Sequence, residues 1–261
     1  MKVVFTDLDG TLLARENVLM GPAPAALARL ERHRVPWILV TSKTRAEVET
    51  LRTELGNEHP FIVENGGAVY IPKGYFGFHL AYAVRRGGYE VLEWGTPYRH
   101  VVAALREASR LSDCRVRGFH GMTPEEISAF CSLPLDRAVL AKWREFEEVF
   151  HILDSERAPQ LCAAVRNKGL RCDRGGRLWH CFGGSDKATA VHALRKLFKR
   201  VHCLSVTISL SDTWMDSEFL NAVNVPLMVR SEYSDQLKAY LPGAFLTEKF
   251  GPEGWNEAVS S

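Results

Sequence analysis

The sequence predicts an α/β protein: a doubly wound parallel sheet with a second, α+β unit inserted into it. Three observations carry this. Short continuous apolar runs alternate with amphipathic helical stretches over the first third of the 261 residues. The same rhythm returns over the last third, and unbroken apolar runs are the pattern of parallel strands covered on both faces. Between residues 82 and 183 the order of elements changes, so the chain leaves the sheet and comes back to it. The expected core is 1–81 with 184–261, and the expected insertion is 82–183.

Val3–Phe5 is the first strand. Pro22 and Pro24 open a helix whose apolar face carries Leu27 and Leu30, since proline suits a first turn. Trp37–Val40 is the second strand, and Arg45–Leu55 is an amphipathic helix stopped by Gly56. Phe61–Val63 is the third strand, after which ENGGAVY turns into an extended segment. In the insertion, 98–111 and 155–169 read as helices, and Val149–Leu153 and Leu178–Phe182 as strands. Lys187–Lys199 is then helical, Cys203–Leu210 a strand, Met215–Val223 a helix and Pro226–Val229 a strand.

A composition of 46% hydrophobic and 25% charged residues is that of a soluble globular protein and excludes a disordered chain. The net charge of +2 excludes a broad nucleic-acid footprint, and the basic stretch RKLFKR at 195–200 reads as a solvated helix face. Six cysteines, at 114, 131, 162, 172, 181 and 203, form no C-x-x-C pair. That pattern suits free thiols in a reducing compartment rather than a disulfide framework. No apolar run approaches the ~18 residues of a membrane span, and MKVVFT reaches acidic residues too soon for a signal peptide. A cytoplasmic protein with a small-molecule partner, and neither nucleic acid nor membrane, is expected.

Ligands of a doubly wound sheet bind beyond the carboxyl ends of its strands. Polar groups stand at that level after three strands and at one helix start. TDLDGTLL puts Asp7 and Asp9 after the first strand, and TSKT puts Thr41 and Lys43 after the second. Lys187 begins the helix after the insertion, and Asp212 and Asp216 follow Val206–Leu210. Alternate residues leaving a strand point the same way, so Asp7 and Asp9 can face one pocket, and Gly10 allows a tight turn there. Clustered carboxylates repel until a cation or proton neutralises them, and hard oxygen ligands favour Mg²⁺ over zinc. Carboxylates, a hydroxyl and an ammonium together suit a phosphoryl dianion and a carboxylate nucleophile. Each piece alone also has a structural reading: a DxD turn, a capping Thr41, a solvated Lys187, or Asp212 as the cap of the next helix.

In this order TDLDGTLL, Thr41, Lys187 and SDTWMD resemble the four motifs of haloacid dehalogenase-type phosphatases, and the insertion resembles their type IIB cap. VTSKTRAEVETL, FIVENGGAVY, KWREF, RGGRLWH, GGSDKATAV and the late GPEGW are similar to the mannosyl-3-phosphoglycerate phosphatase family within them. The resemblance implies a Mg²⁺-dependent phosphatase that dephosphorylates mannosyl-3-phosphoglycerate or its glucosyl analogue through an aspartyl-phosphate, yielding a compatible solute. It makes Asp7 the nucleophile and a metal ligand, and Asp9 the acid and then base, with its backbone carbonyl on the metal. Thr41 and Lys187 hold the phosphoryl oxygens, Asp212 is the remaining carboxylate ligand, and Asp216 supports the metal shell or Lys187. For the substrate carboxylate it offers Arg144 and Arg177, with Gly175 and Gly176 allowing close backbone approach, His180 a hydroxyl contact, and Lys43 reaching over from the core. Arg144 also has a blander reading as a surface partner of Glu145 or Glu148, and His180 reads equally as core packing.

The fourth motif departs from the family's G-D-x-x-N-D: Ser211 replaces the glycine and Met215 the amide. Ala188 follows Lys187 in place of a glycine. Losses of this kind around a metal typically cost about 10–100-fold in affinity or activity, so weaker metal binding is expected. The alternatives are a phosphatase for another sugar phosphate, and a weakly active ligand-binding or regulatory relative.

Overall fold

The computed structural model describes residues 1–14, 23–175, 178–202 and 205–260, and the counts that follow are of these residues. The expected Pro22 helix start and Cys203 strand start lie outside them, as do the site candidates Gly176 and Arg177.

The core strands are β1 (Lys2–Thr6), β2 (Trp37–Val40), β3 (Phe61–Val63), β4 (Ala68–Pro72), β5 (Val84–Arg86) and β6 (Tyr89–Glu93). The cap strands are β7 (Val116–Gly118), β8 (Glu148–Ile152), β9 (Arg171–Gly175) and β10 (Leu178–Phe182), after which β11 (Val206–Ser211), β12 (Val225–Arg230) and β13 (Phe245–Phe250) complete the core. Among the described residues the core is one nine-stranded sheet in the order β13-β12-β11-β1-β2-β3-β4-β6-β5. From β13 to β3 neighbours run parallel, while β3–β4, β4–β6 and β5–β6 are antiparallel. The chain builds outward from β1 in both directions, so the crevice beside β1 is the topological switch point where ligands collect.

Helices α1 (Ala23–Arg32) and α2 (Arg45–Leu55) cover one face of the sheet, joined there by the chain's last helix (Gly251–Ser260). The Thr44 hydroxyl and the Glu47 carboxylate form a reciprocal capping box that starts α2. The cap contributes α3 (Tyr98–Ser112), α4 (Pro124–Cys131), α5 (Leu135–Ala141) and α6 (Ala158–Arg166). Its four-stranded sheet, ordered β7-β8-β10-β9, has a core of its own around Phe150, Leu161 and Val165. The other face of the core sheet is covered by α7 (Lys187–Val201) and α8 (Ser217–Asn221), through Val191, Leu194 and Phe219. The remaining helices are α9 (Ser234–Tyr240) and α10, the Gly251–Ser260 helix already met.

One boundary differs from the expectation. The core sheet continues through β5 and β6, which pair onto β4, so residues 84–93 belong to the core rather than to an insertion starting at 82. This hairpin, VRRGGYEVLE, turns at Gly87 and Gly88 and forms the sheet's edge. Edge strands carry charges that blunt pairing with other chains, which hides them from a search for apolar runs. No helix among the described residues is long and apolar enough to cross a membrane.

Candidate active site

The carboxyl end of β1 delivers Asp7, and that end is held from two sides. The Asp7 amide donates to the Leu210 carbonyl of β11 at 2.9 Å. The indole N–H of buried Trp255 donates to the Thr6 hydroxyl at 2.9 Å, and that hydroxyl donates to the Asp7 carbonyl at 2.8 Å. GPEGW is thus a buttress for the first motif. Gly10 then turns with φ +81°, and a Cβ there would stand 2.5 Å from Asp212 Oδ2. Only glycine lets this turn and that carboxylate approach so closely.

Lys187 is the first residue of α7, whose N-cap Asp186 accepts the Thr189 amide at 2.7 Å. The preceding turn is pressed against the core loop Glu64–Gly66. A Cβ on Gly66, where φ is +91°, would fall 2.1 Å from the Asp186 carbonyl oxygen. So placed, the Lys187 ammonium donates to Asp7 Oδ1 at 2.8 Å and to Asp216 Oδ2 at 2.9 Å. Asp216 also accepts the Ser211 hydroxyl at 2.7 Å, and Asp212 accepts the Thr11 hydroxyl at 3.1 Å. Asp216 therefore orients Lys187, and Ser211 orients Asp216. This is a hydrogen bond that a glycine at 211 would lack.

Burial pushes the Asp7 carboxyl up to about 8 against the pull of Lys187, with the Asp216 and Asp212 charges adding to the rise. Lys187 is raised as well, for a different reason: burial opposes its charge, yet Asp216 and Asp7 hold the ammonium above its ordinary value. The carboxylates thus outnumber the local positive charge, which is the condition a divalent cation relieves. Asp9 Oδ1 is buried without a partner among the described residues, and Lys43 holds Oδ2 at 3.0 Å. No three acidic, His or Cys side chains form a ready metal cluster among the described residues. The ligand set that the resemblance implies is two carboxylates, Asp7 and Asp212, with the Asp9 carbonyl. Both carboxylates face one cavity, so these residues fit Mg²⁺.

That cavity measures about 520 Å³ and lies between core and cap. Asp7, Asp9, Lys187, Asp212 and Asp216 line its core side, and Gly175, Leu178 and His180 its cap side. Met215 spans the two: a Cβ on Gly175 would lie 2.8 Å from His180 Nε2 and 3.2 Å from the Met215 sulfur. Thr41 is buried at the end of β2, its hydroxyl accepting the Lys43 amide at 3.1 Å. Its neighbour Ser42, rather than Thr41, is among the lining residues.

Arg144 is not brought to this cavity. Its guanidinium is buried behind the wall, donates to the Ser42 carbonyl at 3.2 Å and stands 3.5 Å from Glu147. Its first acidic partner is thus Glu147 rather than Glu145, with the Glu64, Glu47 and Glu148 charges adding to its hold on the guanidinium. Glu147 is wholly buried and binds both units, accepting Asn65 Nδ2 at 3.1 Å and bonding His180 Nδ1. With Nδ1 so engaged, Nε2 is the ring atom left to face the cavity. Glu64 completes the junction. Its carboxylate accepts the amides of Glu145 at 2.9 Å and of Phe146 and Glu147 at 2.8 Å each. Burial pushes Glu64 up to about 7.

Glu64, Asn65 and Glu147 were not found as site residues from the sequence, although they lie in or beside FIVENGGAVY and KWREF. The available signal was ENGG itself, whose residues 64–66 all adopt positive φ (46°, 53° and 91°). Three such residues in a row mark a backbone held by tertiary contacts.

Comparison with known proteins gives the family and the fold. The profile of the haloacid dehalogenase-like hydrolase family matches residues 4–79. The chain is 37% identical to the glucosyl-3-phosphoglycerate/mannosyl-3-phosphoglycerate phosphatase of Methanococcoides burtonii, over 98% of this chain and 95% of that one. It is 38% identical to the enzyme of the same description from Persephonella marina, with the same coverage of 98% and 95%. Among solved structures, a haloacid dehalogenase-like hydrolase from Bacteroides thetaiotaomicron shares the fold with a TM-score of 0.69 at 15% identity, covering 99% of this chain and 98% of that one.

Proposed function

Because the chain belongs to the mannosyl-3-phosphoglycerate phosphatase family of haloacid dehalogenase-like hydrolases, and is a phosphatase, we propose that it dephosphorylates mannosyl-3-phosphoglycerate and its glucosyl analogue to the glycosylglycerate. The observation that carries this is the cavity itself: Asp7, Asp9, Lys187 and Asp212 on one wall, and Gly175, Leu178 and His180 of the cap on the other. One wall suits a phosphoryl group, and the other a polyhydroxylated remainder.

In the proposed reaction the Asp7 carboxylate attacks phosphorus and the bond to the glycerate oxygen breaks. Asp9 delivers the proton to that oxygen, then takes one from the water that hydrolyses the aspartyl-phosphate. Lys187, oriented by Asp216, offsets charge on the phosphoryl oxygens, and the Thr41 hydroxyl at the end of β2 is the second group that the resemblance assigns to them. Asp7, Asp212 and the Asp9 carbonyl are the residues that would hold Mg²⁺, which supplies charge neutralisation for both the nucleophile and the phosphoryl group. Lys43 keeps Asp9 Oδ2 engaged at the mouth of the site. From the cap, His180 meets a sugar hydroxyl or the glycerate carboxylate, and Gly175 allows its backbone close. Arg144 serves by holding Ser42 and Glu147 from behind.

The test is phosphate release from mannosyl- and glucosyl-3-phosphoglycerate and a panel of hexose phosphates, with and without Mg²⁺, beside Asp7→Asn. Preference for the two glycosyl-phosphoglycerates, with Mg²⁺ dependence and a dead Asp7→Asn, is expected. Turnover of hexose phosphates alone would sink the substrate reading, and an active Asp7→Asn would sink the covalent step.

A further inference from the structure

The cap holds a cluster that the phosphatase chemistry does not use. Cys114, Cys162, Cys172 and Cys181 are all buried in its hydrophobic core. Two of them meet: Cys162 on α6 and Cys172 on β9, ten residues apart, have their sulfurs 2.7 Å from one another. That is within an ångström of the ~2.05 Å disulfide bond length. The spacing matches no redox motif, which is why six cysteines read as separate thiols; the turn between α6 and β9 brings these two together.

We propose that Cys162 and Cys172 form a reversible intramolecular disulfide, a modification site that clamps α6 to β9 within the cap. The two thiols are unequal. Contact with Cys172 holds the Cys162 thiol below its ordinary range, and Arg166 one turn on in α6 adds to this. The same contact, together with burial, pushes Cys172 up. Cys181 stands opposite Cys172 in the β9–β10 ladder, but burial pushes its thiol up to about 12, so it does not compete as a nucleophile.

The oxidant is a hydroperoxide, hydrogen peroxide being the smallest. The Cys162 thiolate attacks a peroxide oxygen, the O–O bond breaks, and the departing hydroxide takes a proton to become water. Cys162 is left as the sulfenic acid. The Cys172 sulfur then attacks the Cys162 sulfur, forming S–S and breaking S–O, and the leaving hydroxide carries off the Cys172 proton as a second water. Two thiols lose two electrons to one peroxide, and a dithiol reverses the change by exchange. The clamp reaches the site through β9, whose last residue Gly175 lines the cavity.

The whole chain is treated with hydrogen peroxide, unfolded with an alkylating agent and analysed by mass spectrometry. Reduced protein carries six thiols. Oxidised protein should carry two fewer, with the peptides of Cys162 and Cys172 joined, and dithiothreitol should restore all six. Cys172→Ser should leave Cys162 trapped as a dimedone adduct, while Cys181→Ser should still form the cross-link. Oxidation should also raise the melting temperature by several degrees. Survival of all thiols, irreversible sulfinic acid without a cross-link, or a cross-link through Cys114 or Cys181 would overturn the proposal. An unchanged melting temperature would overturn the clamp. The wild-type peptide map decides the matter even where a variant fails to fold, and none of these readouts depends on the phosphatase substrate.

Discussion

The core and the cap meet at one cavity, yet they hold their polar groups in different ways. In the core, Asp7, Lys43 and Asp212 stand just past the parallel strands β1, β2 and β11, while Lys187 starts α7 where the chain returns from the antiparallel cap strand β10. Main-chain direction aims the three that leave parallel strands at the switch point, and the packing of the Asp186 turn on Gly66 brings Lys187 to them. In the cap, His180 lies within an antiparallel strand and faces the cavity because buried Glu147 bonds its other ring nitrogen. Glu147 is in turn tied to Asn65 of the core. The core groups are placed by topology and the cap groups by packing across the junction, so they should fail differently when altered.

The largest effect tests the core. Asp7→Asn should lower phosphate release by about 10⁴–10⁶-fold on every substrate, sugar-containing or not. Burst-phase phosphate kinetics with p-nitrophenyl phosphate and a glycosyl-phosphoglycerate would show it, and loss on only one of them would break the comparison. Asp9→Asn should cost about 10²–10⁴-fold. The deficit should shrink for leaving groups that need no proton, such as p-nitrophenolate.

The junction comes next, through pH. Glu64 sits at about 7 in the folded protein against an ordinary 4.5. Its folded value is raised, so the stability from its protonated form is present below pH 4.5 and lost as pH rises through 7. The shift corresponds to about 3 kcal/mol at most. Metal-free protein should therefore melt lower at pH 8 than at pH 5. Glu64→Gln should flatten that slope, and equal slopes would show that the junction is not where the proton is held.

Smaller effects belong to the cap and to Ser211. His180→Ala should raise KM for the glycosyl-phosphoglycerate about tenfold, one hydrogen bond to a charged or polar group, with kcat on p-nitrophenyl phosphate unchanged. A matched fall on both substrates would place His180 in the chemistry instead. Ser211→Gly removes the 2.7 Å bond to Asp216 and should weaken activity only a few-fold, about 1 kcal/mol. A tenfold gain in Mg²⁺ affinity would instead confirm the cost expected from the departed motif.

Much of the core was legible because buried parallel strands are continuous apolar runs with the functional residue directly after them. WILV followed by TSKT is such a case, and ISL followed by SD is another. Gly175 and His180 were offered by the resemblance instead, and both line the cavity from within antiparallel strands. It did not place Arg144: an arginine in KWREF looks like a fork for a carboxylate, and only burial behind Ser42 shows otherwise. The edge hairpin β5–β6 was missed because its strands are short and charged, and the Cys162–Cys172 meeting because it depends on a turn rather than on a spacing.

The sequence by itself determined the α/β class, the order of the four motifs and the polar residues that follow β1, β2 and β11. These depend on periodicity and chain direction, which are local. Only the tertiary structure decided that Glu64 and Glu147 lock core to cap, that Ser211 serves Asp216, and that Met215 reaches Gly175. Those contacts depend on how separate turns and strands pack, most of them between residues far apart in the chain and through buried polar groups. A buried carboxylate has the same letter as a solvated one, and burial with a partner is what makes the difference.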